Sequence, residues 1–275
     1  MSSFSFGFTL GKAKKAGGVS YDADAQAFFT ATGITDTTQK SAVNQLVLDL
    51  KSYNIWTKMK AIYPIVGGTS TTHKYNLKDP QDTNAAFRLT FSTGWTHSST
   101  GATPNGSAYA NTFLTPSVSL TTNNTHLSIY MGTDTAAGNK VEMGVAVGGT
   151  LIPIMALDAK YTGNIASSFA YNLSTNQLNV ANTDARGLYL GSRTSSTSHK
   201  LYKSGTVIGT DTNANSNTLP NLAILISALN SNGAIVQNSD RRFQFVSIGD
   251  GLTDTEAGNF YTAVQTMQTT LSRNV

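Results

Sequence analysis

The stretch Phe245-Val-Ser-Ile-Gly-Asp-Gly-Leu-Thr-Asp-Thr-Glu-Ala-Gly-Asn-Phe-Tyr261 places a strand, a glycine turn and a helix start in immediate succession. Thr253-Asp-Thr-Glu256 is a capping box, in which the Thr hydroxyl and the Glu carboxylate each accept a hydrogen bond from a backbone N–H. Phe260 begins a series of apolar residues at helical spacing that continues to Leu271. We therefore predict a last strand followed directly by a helix over residues 253–272 that closes the domain.

The sequence before this ending has the pattern of a mainly β protein. From Lys58 onward, apolar and polar residues alternate in short runs. Turn residues separate the runs, and Gly148-Gly149 and Ser204-Gly205 each predict a tight hairpin turn. Many short strands with regular turn signals indicate a sandwich or a jelly roll. The predicted strands lie at residues 60–66, 73–77, 87–91, 126–131, 141–147, 151–156, 168–172, 187–191, 200–203, 206–209, 222–228 and 241–248.

Residues 21–57 have a helical pattern instead. A short helix begins at Asp24 and ends near Gly33, and a second helix begins with Asp36 as its cap and Gln39 three positions later. One face of the second helix is apolar and contains Val43, Leu46, Val47 and Leu50. We expect this N-terminal helical segment to pack on the edge of a sheet that belongs to a sandwich at residues 58–275.

Residues 1–20 form an N-terminal arm. Small and aromatic residues alternate in its first part with the period of a strand, and a cluster of lysines follows between glycines. The arm is either a disordered terminus or a docking strand that becomes ordered on a partner. In the second case the docking residues are Phe4, Phe6, Phe8, Lys12, Lys14 and Lys15.

The composition excludes several classes of protein. Charged residues make up only 12% of the chain, against about 25% in an average domain. The formal net charge is +4, and because much of the excess lies in the arm, we expect no nucleic-acid surface. The absence of cysteine excludes disulfides, thiolate metal sites and cysteine nucleophiles.

The sequence also shows no export or membrane segment. The first ten residues lack the charges followed by an apolar run that define a secretory signal. No run approaches the roughly 18 apolar residues of a membrane span, so we expect no membrane insertion. A surface of hydroxyls and amides without an export signal suits a virion component, which leaves the cell by lysis.

The segment from Phe245 to Tyr261 resembles the closing motif of laminin-G-like, concanavalin A-like sandwiches. That resemblance implies a mainly β, concanavalin A-like jelly-roll β-sandwich with an N-terminal helical segment and a C-terminal helix. Other segments resemble a group of such proteins encoded by bacteriophages, notably those that infect Bacteroidetes. These segments are Tyr21–Phe28, Ile62–Thr69, Thr72–Asp79, Gly94–Gly101, Pro104–Gly106 and Asn124–Ser128.

The phage resemblance implies a virion structural protein, such as a head fibre, a capsid decoration or a tail appendage, which contributes to attachment to the host surface. Other virion proteins would then be its partners through the arm, and we expect a homo-oligomer. The alternative is a carbohydrate-binding, lectin-like adhesin without a structural role, whose partner is a host-surface glycan.

The sequence offers no catalytic pair. Glycoside hydrolysis requires two carboxylates that flank the scissile bond, but Glu142 and Glu256 are the only glutamates and lie far apart in sequence. The four histidines are also isolated from one another. We therefore expect that the protein is not an enzyme.

A glycan site requires an aromatic platform with amide groups beside it. Trp95 and Tyr109 flank a loop rich in Gly, Ser, Thr and Asn that also contains His97 and Asn105. These four residues are the predicted glycan-binding site. The alternative is that Trp95 closes the core of the sandwich.

Calcium is a candidate metal, because loop Asp and Asn oxygens are its usual ligands. Asp250 and Asp254 are the candidate ligands in the closing motif, and Asp134 with Asn139 is a second possibility. The alternative is that these residues serve turns and helix caps. No motif requires a cofactor.

Overall fold

The computed structural model describes residues 1–2, 20–150, 152–171, 177–214 and 218–275. The predicted docking residues Phe4, Phe6, Phe8, Lys12, Lys14 and Lys15 lie outside the described residues. The helices are α1 (Ala23–Thr32), α2 (Thr37–Ser52), α3 (Ser70–His73), α4 (Pro116–Ser119) and α5 (Asp254–Thr270).

The strands are short and follow one another through most of the chain. They are β1 (Met59–Tyr63), β2 (Thr90–Phe91), β3 (Trp95–Ser98), β4 (Gly101–Pro104), β5 (Ala110–Asn111), β6 (Thr125–Met131), β7 (Met143–Ala146), β8 (Ile154–Tyr161), β9 (Ile165–Ala170), β10 (Gln177–Ala181), β11 (Gly187–Ser195), β12 (Ser198–Lys203), β13 (Thr206–Asp211), β14 (Leu225–Ile226), β15 (Leu229–Ser231), β16 (Ala234–Val236) and β17 (Phe243–Gly249).

These strands form two mostly antiparallel sheets, as the mainly β sandwich prediction requires. In the first sheet the order is β13-β12-β11-β6-β17-β4-β3, and β1 also pairs with β17. In the second sheet the order is β10-β9-β8-β7-β14-β5-β2, and the hairpin β15–β16 joins it through a parallel pairing of β15 with β7. The prediction of a two-sheet sandwich with helices at both ends is confirmed.

The first sheet is buried on both faces, because it is the middle of three layers. On β17, Ile248 belongs to the apolar cluster between the two sheets, whereas Phe245 belongs to the cluster under the helices. Phe260 of α5 packs on Phe245 with the ring centroids 5.9 Å apart. All seven residues of β17 are therefore buried, which explains a strand without a polar face.

The N-terminal helices belong to the same layer as α5. The side chain of Asp36 accepts a hydrogen bond from the Gln39 N–H, as the sequence predicts, and Gly33 ends α1 in the left-handed conformation. The apolar face of α2 is buried against α5 and the face of the first sheet, rather than against a sheet edge. No described helix is long and apolar enough to cross a membrane.

Three local predictions were wrong and one is confirmed. No strand occurs at residues 73–77, where one was predicted. His73 is instead the last residue of helix α3, whose start is stabilised by a capping box between Thr69 and Thr72. The strands beside Gly148-Gly149 end at Ala146 and resume at Ile154, so that connection is longer than a tight turn. The predicted loop after Gly94 contains the hairpin β3–β4. The turn at Ser204-Gly205 is confirmed, since both residues have positive φ between β12 and β13.

Candidate binding site on the outer face of the second sheet

A third apolar cluster lies on the second sheet, on the face turned away from the first sheet. Its buried members are Val141, Ala146, Ile154, Ala156 and Leu229, and Phe169 packs against them half-buried. In the described part of the chain no helical residue belongs to this cluster. An apolar cluster on the solvent side of a sandwich indicates a binding surface.

The cluster forms a groove of about 250 Å³ across strands β10, β9, β8, β7 and β15. We call it the outer groove. Glycine is required at position 144, because a Cβ atom there would lie only 2.8 Å from the Cβ of Ala156 and 3.0 Å from Cδ1 of Leu229. The residues that line the outer groove are Val141, Ile154, Ala156, Asp158, Tyr161, Phe169, Gln177, Leu229 and Gln237.

Amides and a phenol form the polar rim of the outer groove. Gln237 Nε2 donates hydrogen bonds to Asn139 Oδ1 at 2.6 Å and to Tyr161 Oη at 3.1 Å. On the opposite side, Gln177 Nε2 donates to Asn179 Oδ1 at 2.9 Å. The rim therefore combines donors and acceptors around an apolar floor, which is the usual composition of a small-molecule site.

Asp158 is the acidic group of the outer groove. It pairs with Ser167 across β8 and β9 and is 1% exposed. Its Oδ1 atom has no hydrogen-bond partner among the described residues. Burial, together with the negative charge of Glu142, raises the pKa of Asp158 well above its usual range, and Arg241 opposes this shift without cancelling it.

Glu142 immediately precedes β7 and lies across from Asp158 of β8, and its side chain is fully buried. Its Oε2 accepts a hydrogen bond from the Ala159 N–H at 2.6 Å, and its Oε1 accepts from Ser239 and from Arg241. Arg241 is fully buried and also donates to the Lys160 carbonyl at 2.8 Å. This buried ion pair has zero net charge, and Nε of Arg241 is its one polar side-chain atom without a hydrogen-bond partner among the described residues.

The predicted glycan residues come together at the end of the first sheet, around the hairpin β3–β4. The half-buried ring of Trp95 packs on Phe243 at 5.9 Å, and its Nε1 donates to the Tyr109 carbonyl at 3.0 Å. Asn105 is exposed, and its Oδ1 accepts from the backbone N–H groups of Ser107 and Ala108, as in a turn. Trp95 therefore contributes to the core, although part of its ring stays accessible.

His97 contacts a second histidine. The Nδ1 atoms of His97 and His73 are 2.9 Å apart, and His73 Nε2 accepts from the Gly68 N–H at 3.2 Å. His73 therefore carries its proton on Nδ1 and donates it to His97. Burial, together with His97 and Arg273, lowers the pKa of His73 to about 3, so this pair is neutral at physiological pH.

The candidate calcium ligands are engaged with lysines. Asp254 accepts from Lys200 at 2.7 Å and from Tyr202 at 2.6 Å, and Asp250 lies 3.3 Å from Lys60. In the second candidate pair, Asp134 accepts from the Lys160 ammonium and Asn139 accepts from Tyr161. Within the described ranges, no group of three or more His, Cys, Asp or Glu side chains could hold a metal ion.

The alternation of residues along β8 is the sequence pattern that could have indicated the outer groove. Ile154, Ala156 and Asp158 alternate on β8, and Phe169 follows on β9. Alternation places them on one face, but which face is open to solvent depends on where the helices pack. The sheet topology supplies that information, and the sequence pattern does not.

Comparisons with known proteins agree with this architecture. No known family and no curated protein matches the sequence. A mutant of Trypanosoma rangeli sialidase that displays trans-sialidase activity matches with a TM-score of 0.54 and 11% identity, over 82% of this chain and 39% of that chain. At this identity the likeness shows the fold alone, that of a β-sandwich.

Two glycan complexes match less well. Domain 4 of AbnA, a GH43 extracellular arabinanase from Geobacillus stearothermophilus solved with arabinotriose, has a TM-score of 0.46 and 13% identity, over 74% of this chain and 98% of that chain. The CBM40 of Ruminococcus gnavus IT-sialidase, bound to α2,3-sialyllactose, has a TM-score of 0.40 and 12% identity, over 49% of this chain and 80% of that chain.

Proposed function

We propose that this chain is a carbohydrate-binding β-sandwich protein and that the outer groove is its glycan site. The observation that carries the proposal is the apolar cluster on the solvent side of the second sheet, bordered by amides. Phe169 provides a half-buried ring beside a floor of aliphatic residues, and Gln177 and Gln237 provide polar groups at the rim. A sugar has matching chemistry, because its C–H face packs on a ring while its hydroxyls bond to amides.

The size of the outer groove limits the ligand. Its volume of about 250 Å³ is below the roughly 300 Å³ at which sites for drug-sized ligands begin. We infer that it holds one sugar ring at a time, as the end or a side branch of a longer glycan.

We propose binding without hydrolysis. Hydrolysis requires two carboxylates that flank the scissile bond. Asp158 lies at the outer groove, but both oxygens of its neighbour Glu142 are bonded to protein groups and the side chain is fully buried. Asp158 alone lines the outer groove with a carboxyl group, and a single carboxyl group does not form the pair that cleavage needs.

We propose a bacteriophage particle as the setting, with the protein as a virion component that reaches the host surface. Support for this setting comes from the sequence resemblance of residues 20–275 to phage-encoded sandwiches. Immunogold electron microscopy of purified particles, with antibody to the sandwich, tests it. Label at discrete head or tail positions is the expected result. Unlabelled particles that carry the gene would contradict a virion role and leave a free lectin-like adhesin.

Glycan-array binding of a labelled protein tests the glycan site. We expect saturable binding that Phe169→Ala weakens about two- to ten-fold, because an aromatic contact contributes about 0.5–1.5 kcal/mol beyond its buried area. The matched control is Tyr53→Ala, which removes a half-buried ring from the helical layer on the opposite side of the molecule. A flat array, or equal losses in both variants, would contradict the assignment of the outer groove.

A further inference from the structure

The carboxyl group of Asp158 lies in the outer groove without a protein partner for Oδ1. Native structures rarely leave a buried acceptor unpaired, because the desolvation that this entails destabilises the fold by about 1–3 kcal/mol. Two nearby cationic donors, Arg241 and Lys160, donate to other groups. A ligand donor in the outer groove would complete the hydrogen bonding of Asp158.

The two cationic side chains near Asp158 do not donate hydrogen bonds to it. Arg241 donates to Glu142 and to the carbonyls of Lys160 and Ala136. The Lys160 ammonium lies 2.9 Å from Asp134 at the end of its strand. Both cations near Asp158 are thus already neutralised by other carboxylates. An anionic ligand in the outer groove would find no cation among the described lining residues.

We propose that Asp158 is the specificity-determining residue of the outer groove and that it selects a neutral, hydroxyl-bearing sugar over an anionic one. This inference rests on the proposed glycan-binding function. A sugar hydroxyl donates to the carboxyl group of Asp158 while the C–H face of the same ring packs on Phe169. The preference for a neutral ring separates this site from one that recognises the carboxylate of a sialic acid.

The test is a titration of ¹⁵N-labelled protein followed by amide NMR spectra. The probes are the methyl glycosides of glucose, galactose and mannose, free N-acetylglucosamine, and N-acetylneuraminic acid as the anionic comparator. We expect at least one neutral sugar to shift the amides of Gly144, Phe169 and Leu229, and N-acetylneuraminic acid at equal concentration to leave them in place. Asp158→Asn should weaken neutral-sugar binding about ten-fold, because Asn places an NH₂ group, which cannot accept a hydrogen bond, where one of the two carboxyl oxygens lies.

Asp211→Asn is the matched control, because Asp211 is a buried aspartate on β13 of the other sheet whose carboxylate accepts from the Asn213 N–H. It should bind like the unaltered protein. Neutral-sugar binding in the outer groove that Asp158→Asn leaves unchanged would overturn this inference, as would equal binding of N-acetylneuraminic acid. Either result leaves the glycan function standing. If none of the sugars moves these amides in the folded protein, the proposed function fails, and the inference fails with it.

Discussion

Replacing Asp158 by Asn should stabilise the protein at neutral pH. Asp158 is 1% exposed, and its Oδ1 has no hydrogen-bond partner in the described part of the chain. Burial and the charge of Glu142 raise the pKa of this carboxyl group well above its ordinary value in the folded protein. For an acid whose pKa rises on folding, the unfolded chain loses its proton first. The folded state is therefore progressively destabilised as the pH rises above about 4, and the penalty is absent below that pH.

Asn has nearly the same shape and cannot ionise, so it removes this pH-dependent penalty. Each unit by which folding raises a pKa corresponds to about 1.4 kcal/mol, and about 1 kcal/mol shifts the melting temperature of a large domain by about 2–4 °C. Asp158→Asn should therefore melt at least about 2–4 °C higher at pH 7.5, the shift that a gain of about 1 kcal/mol produces.

Thermal unfolding followed by circular dichroism at pH 7.5 and at pH 3.5 measures this effect. The variant should gain stability over the unaltered protein at pH 7.5, and the gain should disappear at pH 3.5. A difference of the same size at both pH values, or a variant that is less stable at pH 7.5, would refute the reasoning that Asp158 is a strained buried acid. A gain in stability joined to a loss of sugar binding would indicate that the residue serves function at the expense of the fold.

Three further predictions concern other parts of the structure. Arg241→Met should destabilise the fold by about 3–5 kcal/mol in urea unfolding, because it leaves Glu142 buried without its partner. The double variant Glu142→Gln/Arg241→Met should recover part of this loss. If it recovers none, the loss does not come from the unpaired charge of Glu142. Trp95→Ala should destabilise the fold by less than the about 3–5 kcal/mol typical of a fully buried ring, and a variant as stable as the unaltered protein would show that Trp95 does not contribute to the core. His73 and His126, whose pKa values burial lowers to about 3 and about 4, should show no titration in NMR spectra between pH 5 and 8, whereas a midpoint near 6.5 would contradict their burial.

Local signals in the sequence were sufficient for the three long helices, α1, α2 and α5, and for one hairpin. The Asp36 cap and the capping box Thr253–Glu256 predicted where α2 and α5 begin, because the groups that satisfy a helix N-terminus lie within four residues of one another. Ser204-Gly205 predicted its turn for the same reason, since φ is a property of the residue itself. These features need no information from distant parts of the chain.

The strands were less predictable, and the errors have a physical cause. β6 and β17 are buried on both faces, so polar residues such as Ser128 and Ser247 occur inside and blur the period-two pattern. These two hydroxyls bond to each other at 2.7 Å across the strands. A cross-strand pair of this kind depends on register, which is set by partners more than a hundred residues apart in sequence.

The sequence by itself determined the class of the fold, the C-terminal helix and the amphipathic face of α2, because periodicity and capping are local properties. Only the tertiary structure decided the site. Asp158 and Glu142 are 16 positions apart in sequence and become neighbours when β7 pairs with β8. Arg241, which lies just before β17 in sequence, is brought into contact with Glu142 by the fold. The helices cover the first sheet and leave the outer groove of the second sheet to solvent. Which face of a sheet stays open depends on where distant elements pack, and that is a property of the whole assembly of layers.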